Sequence, residues 1–166
     1  IYQDWVNFGN FTAQTSRVNL IGPQDATVLG NNTFHDFLII EPSKKVSFEA
    51  GATQEIQGTL IFQGSYGKLL ILRSTQTTIP WKINATGETH LTYLDLMDSS
   101  NVHIHGPPLT LLHSKNSQGN TGWDFSQSPV LWTNSNHTFL WSDPLNWSAG
   151  FVPGLGDIVL LRAAND

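Results

Sequence analysis

Cysteine is absent from this 166-residue chain, so it has no disulfide framework, no thiolate metal site and no cysteine nucleophile; packing and backbone hydrogen bonds must hold it together. Charge is scarce as well. Asp, Glu, Lys and Arg make up 13% of the residues, about half the share usual in a soluble domain, and Asn, Thr, Ser, Gln and Gly take their place. The 8 Lys and Arg against 13 Asp and Glu nowhere form a run, which argues against nucleic acid, whose phosphates need clustered cations. No segment reaches the roughly 18 consecutive apolar residues of a membrane span. The opening "IYQDWVNFGN" has neither the basic start nor the apolar stretch of a signal sequence, so the chain reads as mature or as excised from something longer. Its uncharged polar composition points to a secreted or cell-surface protein, and its length allows one domain with a small appendage.

Helical periodicity is missing too: no window places apolar residues at i, i+3, i+4 and i+7 among good helix formers. Short β-branched, aromatic and leucine-rich runs recur instead, bounded by Gly, Pro, Asn or Ser, as in "VNLIG", "DFLIIEP", "KVSFEAG", "GTLIFQG", "KLLILRS", "PWKINATG" and "HLTYLDLMD". "DFLII" begins at Asp36, "GTLIF" at Gly58, "PWKIN" at Pro80 and "HIH" at His103, steps of 22, 22 and 23 residues. A second series, from Lys45 to Leu69 to Leu91, steps by 24 and 22. Two interleaved series of one period predict a solenoid, in which each coil lays its strands over those of the coil before. The alternative is a β-sandwich, which also spaces short strands by turns. Nearly continuous apolar runs such as "DFLII" and "KLLIL" favour parallel strands, and "EAGATQ" and "FQGSYG" supply glycines for coil corners.

The series "NFTAQTSRVNLIG", "NNTFHDFLIIEPSKKVSFEAGATQEIQGTLIFQGSYGKLLILRSTQ", "PWKINATGETHLTYLDLMDSSN" and "NSQGNTGWDF", roughly Asn10 to Phe125, resembles the repeat module of very large bacterial surface proteins of the filamentous-haemagglutinin-like, pectin-lyase-like β-helix kind. The resemblance implies an all-β, right-handed parallel β-helix over residues 1–127. It also implies a C-terminal strand and linker extension over 128–166, because "WSDPLNWSAGFVPGLGDIVLL" looks like the linker strand that introduces a next module. The segment "HIHGPPLTLLH" departs from that pattern by its length and apolarity. Trp123 and Phe125 stand on one side of an extended segment and are expected to close the last coil, a burial that stabilises by about 3 to 6 kcal/mol.

Candidate chemistry is sparse. His103, His105 and His113 offer an H-x-H, a geometry open to zinc or copper, but no carboxylate lies between them, and no metal or cofactor is expected. Asp95 and Asp98 resemble the acidic clusters of β-helix lyases, yet Asp95 alternates with Leu94 and Leu96 like the solvent face of a strand, so no catalytic residue is assigned. Asn10, Asn31, Asn84, Asn136 and Asn146 head five Asn-x-Ser/Thr sequons and are glycan candidates in a chain that passes a glycosylating secretory route. Trp132, Trp141 and Trp147 suit either stacking on sugar rings or stapling the tail to the solenoid.

The chain starts in the strand-like "DWVNFGNFTA" and finishes in the strand-like "GDIVLLRAAND" without caps. The expected function is therefore a non-catalytic structural or adhesive module, joined head to tail into a filament by strand addition, with Trp141, Trp147, Ile158, Val159, Leu160 and Leu161 as contact candidates. Its partners are then copies of itself or adjacent modules, with surface glycans as a further class. The alternative is a carbohydrate-binding or carbohydrate-cleaving β-helix.

Overall fold

The computed structural model describes residues 1–103, 106–155 and 157–161. After β1 (Trp5–Val6) the chain winds through coils of three short strands. They are β2 (Arg17–Asn19), β3 (Ala26–Leu29) and β4 (Asn32–Phe34); β5 (Asp36–Ile40), β6 (Lys45–Phe48) and β7 (Thr53–Ile56); β8 (Leu60–Gln63), β9 (Leu70–Ser74) and β10 (Trp81–Ala85); and β11 (Thr89–Thr92), β12 (Leu94–Leu96) and β13 (Ser99–Asn101). β14 (Leu109–Thr110), β15 (Lys115–Asn116) and β16 (Trp123–Asp124) complete the winding. The strands of the three main sheets pair in parallel with their counterparts one coil away, and β14 pairs in parallel with β16. The first sheet runs β2-β5-β8-β11, the second β1-β3-β6-β9-β12-β15 and the third β4-β7-β10-β13. This is the strand order of an all-β parallel β-helix. A sandwich would pair sequence neighbours antiparallel.

Alternation sets the core. In the second sheet Ala26, Val46, Leu72 and Leu96 stack in register and are buried, while Thr27, Ser47 and Arg73 form the outward ladder between them. An aromatic column threads the interior. Trp5 and Phe11 lie edge-on and tilted against Phe34; Phe34 stacks on Phe37 at 4.4 Å, Phe48 stacks on Trp81 at 4.1 Å, and Trp81 meets Trp123 at 6.3 Å. Trp123 and Phe125 thus join the core at its last coil, and Trp5 and Phe11 close its first.

The common period of about 22 residues holds only in part. Phe37 registers with Leu60 after 23 residues, but Val46 registers with Leu72 after 26 and Leu60 with Thr89 after 29, because the chain makes longer excursions at 64–69 and at 75–80. Pro80 therefore opens a strand of the third sheet, not the next strand of the "DFLII" series, and Leu91 belongs to the first sheet while Leu94–Leu96 continues the second. Gly51 and Gly67 turn their corners at positive φ as expected. At another corner Gly58 and Gly87 lie one above the other, and a Cβ on Gly87 would fall 1.9 Å from the Gly58 carbonyl oxygen.

Two polar devices lock neighbouring coils. Asn32 and Gln54 are buried, and the Asn32 amide donates to Gln54 Oε1 at 2.9 Å while Trp5 Nε1 donates to Asn32 Oδ1 at 2.8 Å. Lys44 is fully buried, with Nζ donating to the carbonyl oxygens of Gly22 and Gln24; burial pushes its pKa down.

Asp36 gives the fold a pH dependence. Its Oδ1 accepts from the Thr59 N–H at 2.9 Å, and this bond holds the carboxyl below its usual 3.8 against the opposing effect of burial, with further help from His35 and Arg17. A depressed folded pKa means that the stabilisation is complete above 3.8 and lost as pH falls through the folded value. Urea midpoints are expected to fall more steeply for the native chain than for Asp36→Asn between about pH 5 and about pH 2; equal slopes would refute the assignment.

Candidate functional site

Beyond the coils, β17 (Val130–Leu131) pairs in parallel with β18 (Val159–Leu160), and residues 132 and 147 bridge antiparallel on β17's other side. Val130, Trp147, Ala149 and Phe151 form a second buried cluster, against which Leu69 of the solenoid, Trp132, Val152 and Val159 pack. Polar contacts fix this extension to the coils. Tyr66 Oη donates to the Trp147 carbonyl at 3.2 Å, the Lys115 ammonium lies 5.8 Å from the Phe151 ring centroid, and Asp157 Oδ1 accepts from the Asn116 N–H of β15 at 3.0 Å. Burial raises the Asp157 carboxyl above its usual range, against the Gly154 and Asn116 amides that favour its anion. The extension is thus bound to its own solenoid at the corner before β9 and along the last rung.

Within this tail the sequence candidates separate. Trp147 is fully buried, so it is an internal staple and offers nothing to a neighbour, a correction to its place among the contact candidates. It meets Trp141 edge-on at 4.4 Å and Trp132 at 4.9 Å, and its Nε1 donates to the Trp141 carbonyl at 2.8 Å. Trp141 keeps 50% of its surface exposed; Ile158, Leu160 and Leu161 are exposed, and Val159 is half-buried against the second cluster.

Asn146 is also fully buried, and its amide nitrogen donates to Thr138 Oγ1 at 2.8 Å and to the Leu140 carbonyl at 3.1 Å. A glycan on that nitrogen is incompatible with the fold, which corrects the fifth sequon. Asn84 and Asn136 spend their amide nitrogens on Glu55 and Asp143. Asn10 and Asn31 are exposed, Asn31 accepting from the Thr53 N–H through Oδ1 alone.

The segment between Asn134 and Asn146, marked in the sequence by Trp141 and the sequons at Asn136 and Asn146, carries a group of exposed apolar side chains. Phe139 is 77% exposed, and Leu140, Trp141 and Leu145 are exposed beside it. The tip is held from within. Asp143 caps the 3-10 turn Pro144–Asn146 by accepting from the Leu145 N–H, and its other oxygen accepts from Asn136 Nδ2 and Thr138 Oγ1, each at 2.8 Å. These three bonds hold the Asp143 carboxyl below its usual range, Asn136 contributing most. Phe139 has φ +56°, a left-handed conformation costly for a bulky residue, and its N–H donates to Asn134 Oδ1.

A groove of about 570 Å³ runs over the outer face of the first sheet, lined by Ile40, Ile61 and His90 of its strands, by Leu112, and by Pro107 and Pro108 of the segment whose length broke the repeat pattern. The register explains it: Ile61 stacks on His90, and Ile40, Gln63, Thr92 and Leu112 form the neighbouring ladder. The acidic residues weighed for catalysis lie elsewhere. Asp95 is paired with Arg73 at 2.8 Å on the second sheet, and Asp98 is buried. His113 stacks on Tyr93 at 5.0 Å and His103 Nδ1 lies 2.9 Å from the Ala85 carbonyl; His105 lies outside the described residues. Among the described residues, no group of three or more His, Asp or Glu side chains is placed to hold a metal ion, and no helix is long and apolar enough to cross a membrane. Compared with protein-family models, curated proteins and solved structures, the chain finds no match.

Proposed function

We propose that this protein is a non-catalytic extracellular module, structural or adhesive in role, that joins copies of itself or adjacent modules head to tail through its terminal strands. The reading carries forward the resemblance to β-helix repeat modules of large surface proteins, and the general right-handedness of parallel crossovers supports a right-handed winding. One observation carries it: two strand edges stand beside exposed apolar side chains. In the first coil β1 carries Val6 and is followed by Phe8, and in the tail's own two-stranded sheet β18 carries Leu160 and is followed by Leu161. Such an edge is a template for another strand. The low charge and uncharged polar composition fit a secreted or cell-surface location.

Light scattering of the chain over a concentration series, beside negative-stain electron microscopy, tests it. Growth of mass with concentration and filaments of regular axial repeat are expected. A compact monomer at every concentration would end the head-to-tail reading. The outer groove favours a second reading, a carbohydrate-binding β-helix, because Gln63, Thr89 and Thr92 offer hydrogen-bonding groups beside apolar Ile40 and Ile61. Saturable binding of a neutral oligosaccharide by the monomer, lost in Gln63→Ala, is its expected result.

A further inference from the structure

The last rung of the second sheet meets side chains where another strand could lie. Just past β15 the Ser117 N–H donates to the Leu96 carbonyl of β12 at 2.8 Å, so by alternation Ser114 and Asn116 send their amides to the free edge. Neither is left open. The Ser114 N–H donates to Ser128 Oγ at 3.2 Å, and that buried hydroxyl donates in turn to the Leu111 carbonyl at 2.6 Å, accepting and donating as the peptide group of a neighbouring strand would. The Asn116 N–H donates to Asp157 Oδ1 at 3.0 Å, and beside it Gln118 Nε2 donates to the Leu155 carbonyl. We infer that these tail residues are a removable cap over a second docking edge, and that β15, once Asp157 lifts away, accepts β1 of another copy of this chain. This goes beyond the β1 and β18 edges of the proposed function, because the edge concerned is one the chain keeps covered.

The cap is lightly held. Its neighbours Gly154 and Leu155 are exposed, so Asp157 is kept in place by its bonds to the Asn116 and Gly154 amides and not by burial of apolar groups beside it. Burial works against its carboxylate, and Asp95 of β12 adds a like charge that Lys115 opposes. Such a segment opens locally at a small fraction of the free energy of global unfolding.

The strand that fits the uncovered edge is β1. It is the opposite edge of the same six-stranded sheet, whose five pairings are all parallel. In a parallel sheet the two edges are complementary, since β15 offers a following strand what every inner strand already offers the one after it. Both edge strands are two residues long. Side chains agree as well. With the inward Trp5 set over Asn116, which itself lies over the buried Leu96, the exposed Asp4 of the incoming copy stands beside Lys115. Lys115 then has an opposite charge on either side, Asp95 within its own copy and Asp4 of the next. The contact is heterologous, one β15 and one β1 per copy, and it continues the sheet from copy to copy.

Asp157→Ala opens the cap at a half-buried position outside the solenoid core, so the coils are expected to persist, which circular dichroism verifies. In sedimentation over a concentration series its association constant is expected to exceed that of the native chain by about 10-fold, the effect of freeing one hydrogen bond to a charged acceptor. Hydrogen exchange locates the contact. The Asn116 amide is expected to exchange slowly in the native chain, fast in dilute Asp157→Ala, and slowly again when that variant is concentrated and β1 of a second copy replaces the carboxylate. Adding Asp4→Lys, which sets like charge beside Lys115, is expected to return association to the native level and leave the Asn116 amide fast. Equal association of Asp157→Ala and the native chain overturns the inference. So does an Asn116 amide that stays slow in the dilute variant, or association that Asp4→Lys leaves intact, since the covered edge is then not what joins the copies. The native chain reports separately on the proposed function: if it is monomeric throughout while Asp157→Ala assembles, joining through β18 fails and the covered edge stands, and if it assembles while Asp157→Ala adds nothing, the reverse holds.

Discussion

Replacing Trp81 with alanine is expected to destabilise the protein by about 4 kcal/mol, the largest loss of any single truncation in the solenoid. The indole is fully buried in β10, stacked at 4.1 Å on Phe48 of the preceding coil, and 6.3 Å from Trp123 at the last coil. It therefore bridges coils that contact each other only through neighbours, and in such a quasi-one-dimensional stack a cavity at the centre weakens two interfaces at once. Collapse around the gap is limited because parallel ladders on both sides fix the strand spacing. Trp81→Phe makes the diagnosis specific. Trp81 Nε1 is buried without a hydrogen-bond partner, so phenylalanine keeps an aromatic ring against Phe48 while removing an unsatisfied donor. Its cost is expected to be well under half that of the alanine variant. Trp141→Ala, at a half-exposed tail position, should cost about 1 kcal/mol or less. Urea unfolding followed by far-ultraviolet circular dichroism measures all three; a Trp81→Ala variant within 1 kcal/mol of the native chain would refute the account of the column.

The contrast between Trp81 and Trp141 also marks what the sequence reveals. Strands of the first two sheets announce themselves, because "DFLII", "TLIF" and "LLIL" place large apolar groups on the core side at every second position. The third sheet is nearly silent. Asn32 and Gln54 occupy core positions, and "NTF" and "TQEI" look like loops until one sees that the two amides hydrogen-bond to each other across coils. The regular period misassigned Pro80 and Leu91 for a related reason: a coil lengthens at a corner without disturbing the register of its strands, so spacing along the chain is not spacing in the stack.

Burial in the tail was the hardest to read. The sequon in "PLNWSAG" suggests surface chemistry for Asn146, which the fold turns inward, whereas for Trp147 the burial fits the stapling alternative. Residues whose role is to bind loop carbonyls, as Lys44 does across coils and Asn146 does within its own loop, carry no local periodic signal.

Asn146→Asp should separate the two parts of the molecule. The substitution changes one atom's chemistry at a fully buried site: a nitrogen that donates to Thr138 Oγ1 and to the Leu140 carbonyl becomes an oxygen that can donate only when protonated. The ionised form faces the Leu140 carbonyl oxygen without solvent, and the protonated form recovers at most one of the two bonds. The expected cost is about 3 kcal/mol, the penalty for unsatisfied buried polar groups, and it falls on the loop that Asn146 organises. The solenoid core and the tail cluster around Val130 and Trp147 are separate apolar clusters, so the coils are expected to persist while the tip loosens. Hydrogen exchange should quicken across residues 134–146 and stay unchanged from β5 to β12. Trp147→Phe supplies the control: it deletes only the Nε1 bond to the Trp141 carbonyl and keeps most of the packing, so it should fall between Asn146→Asp and the native chain. Unchanged exchange in the tip of Asn146→Asp would mean that the buried amide does not organise it, and that the exposed phenylalanine and tryptophan owe their positions to the backbone alone.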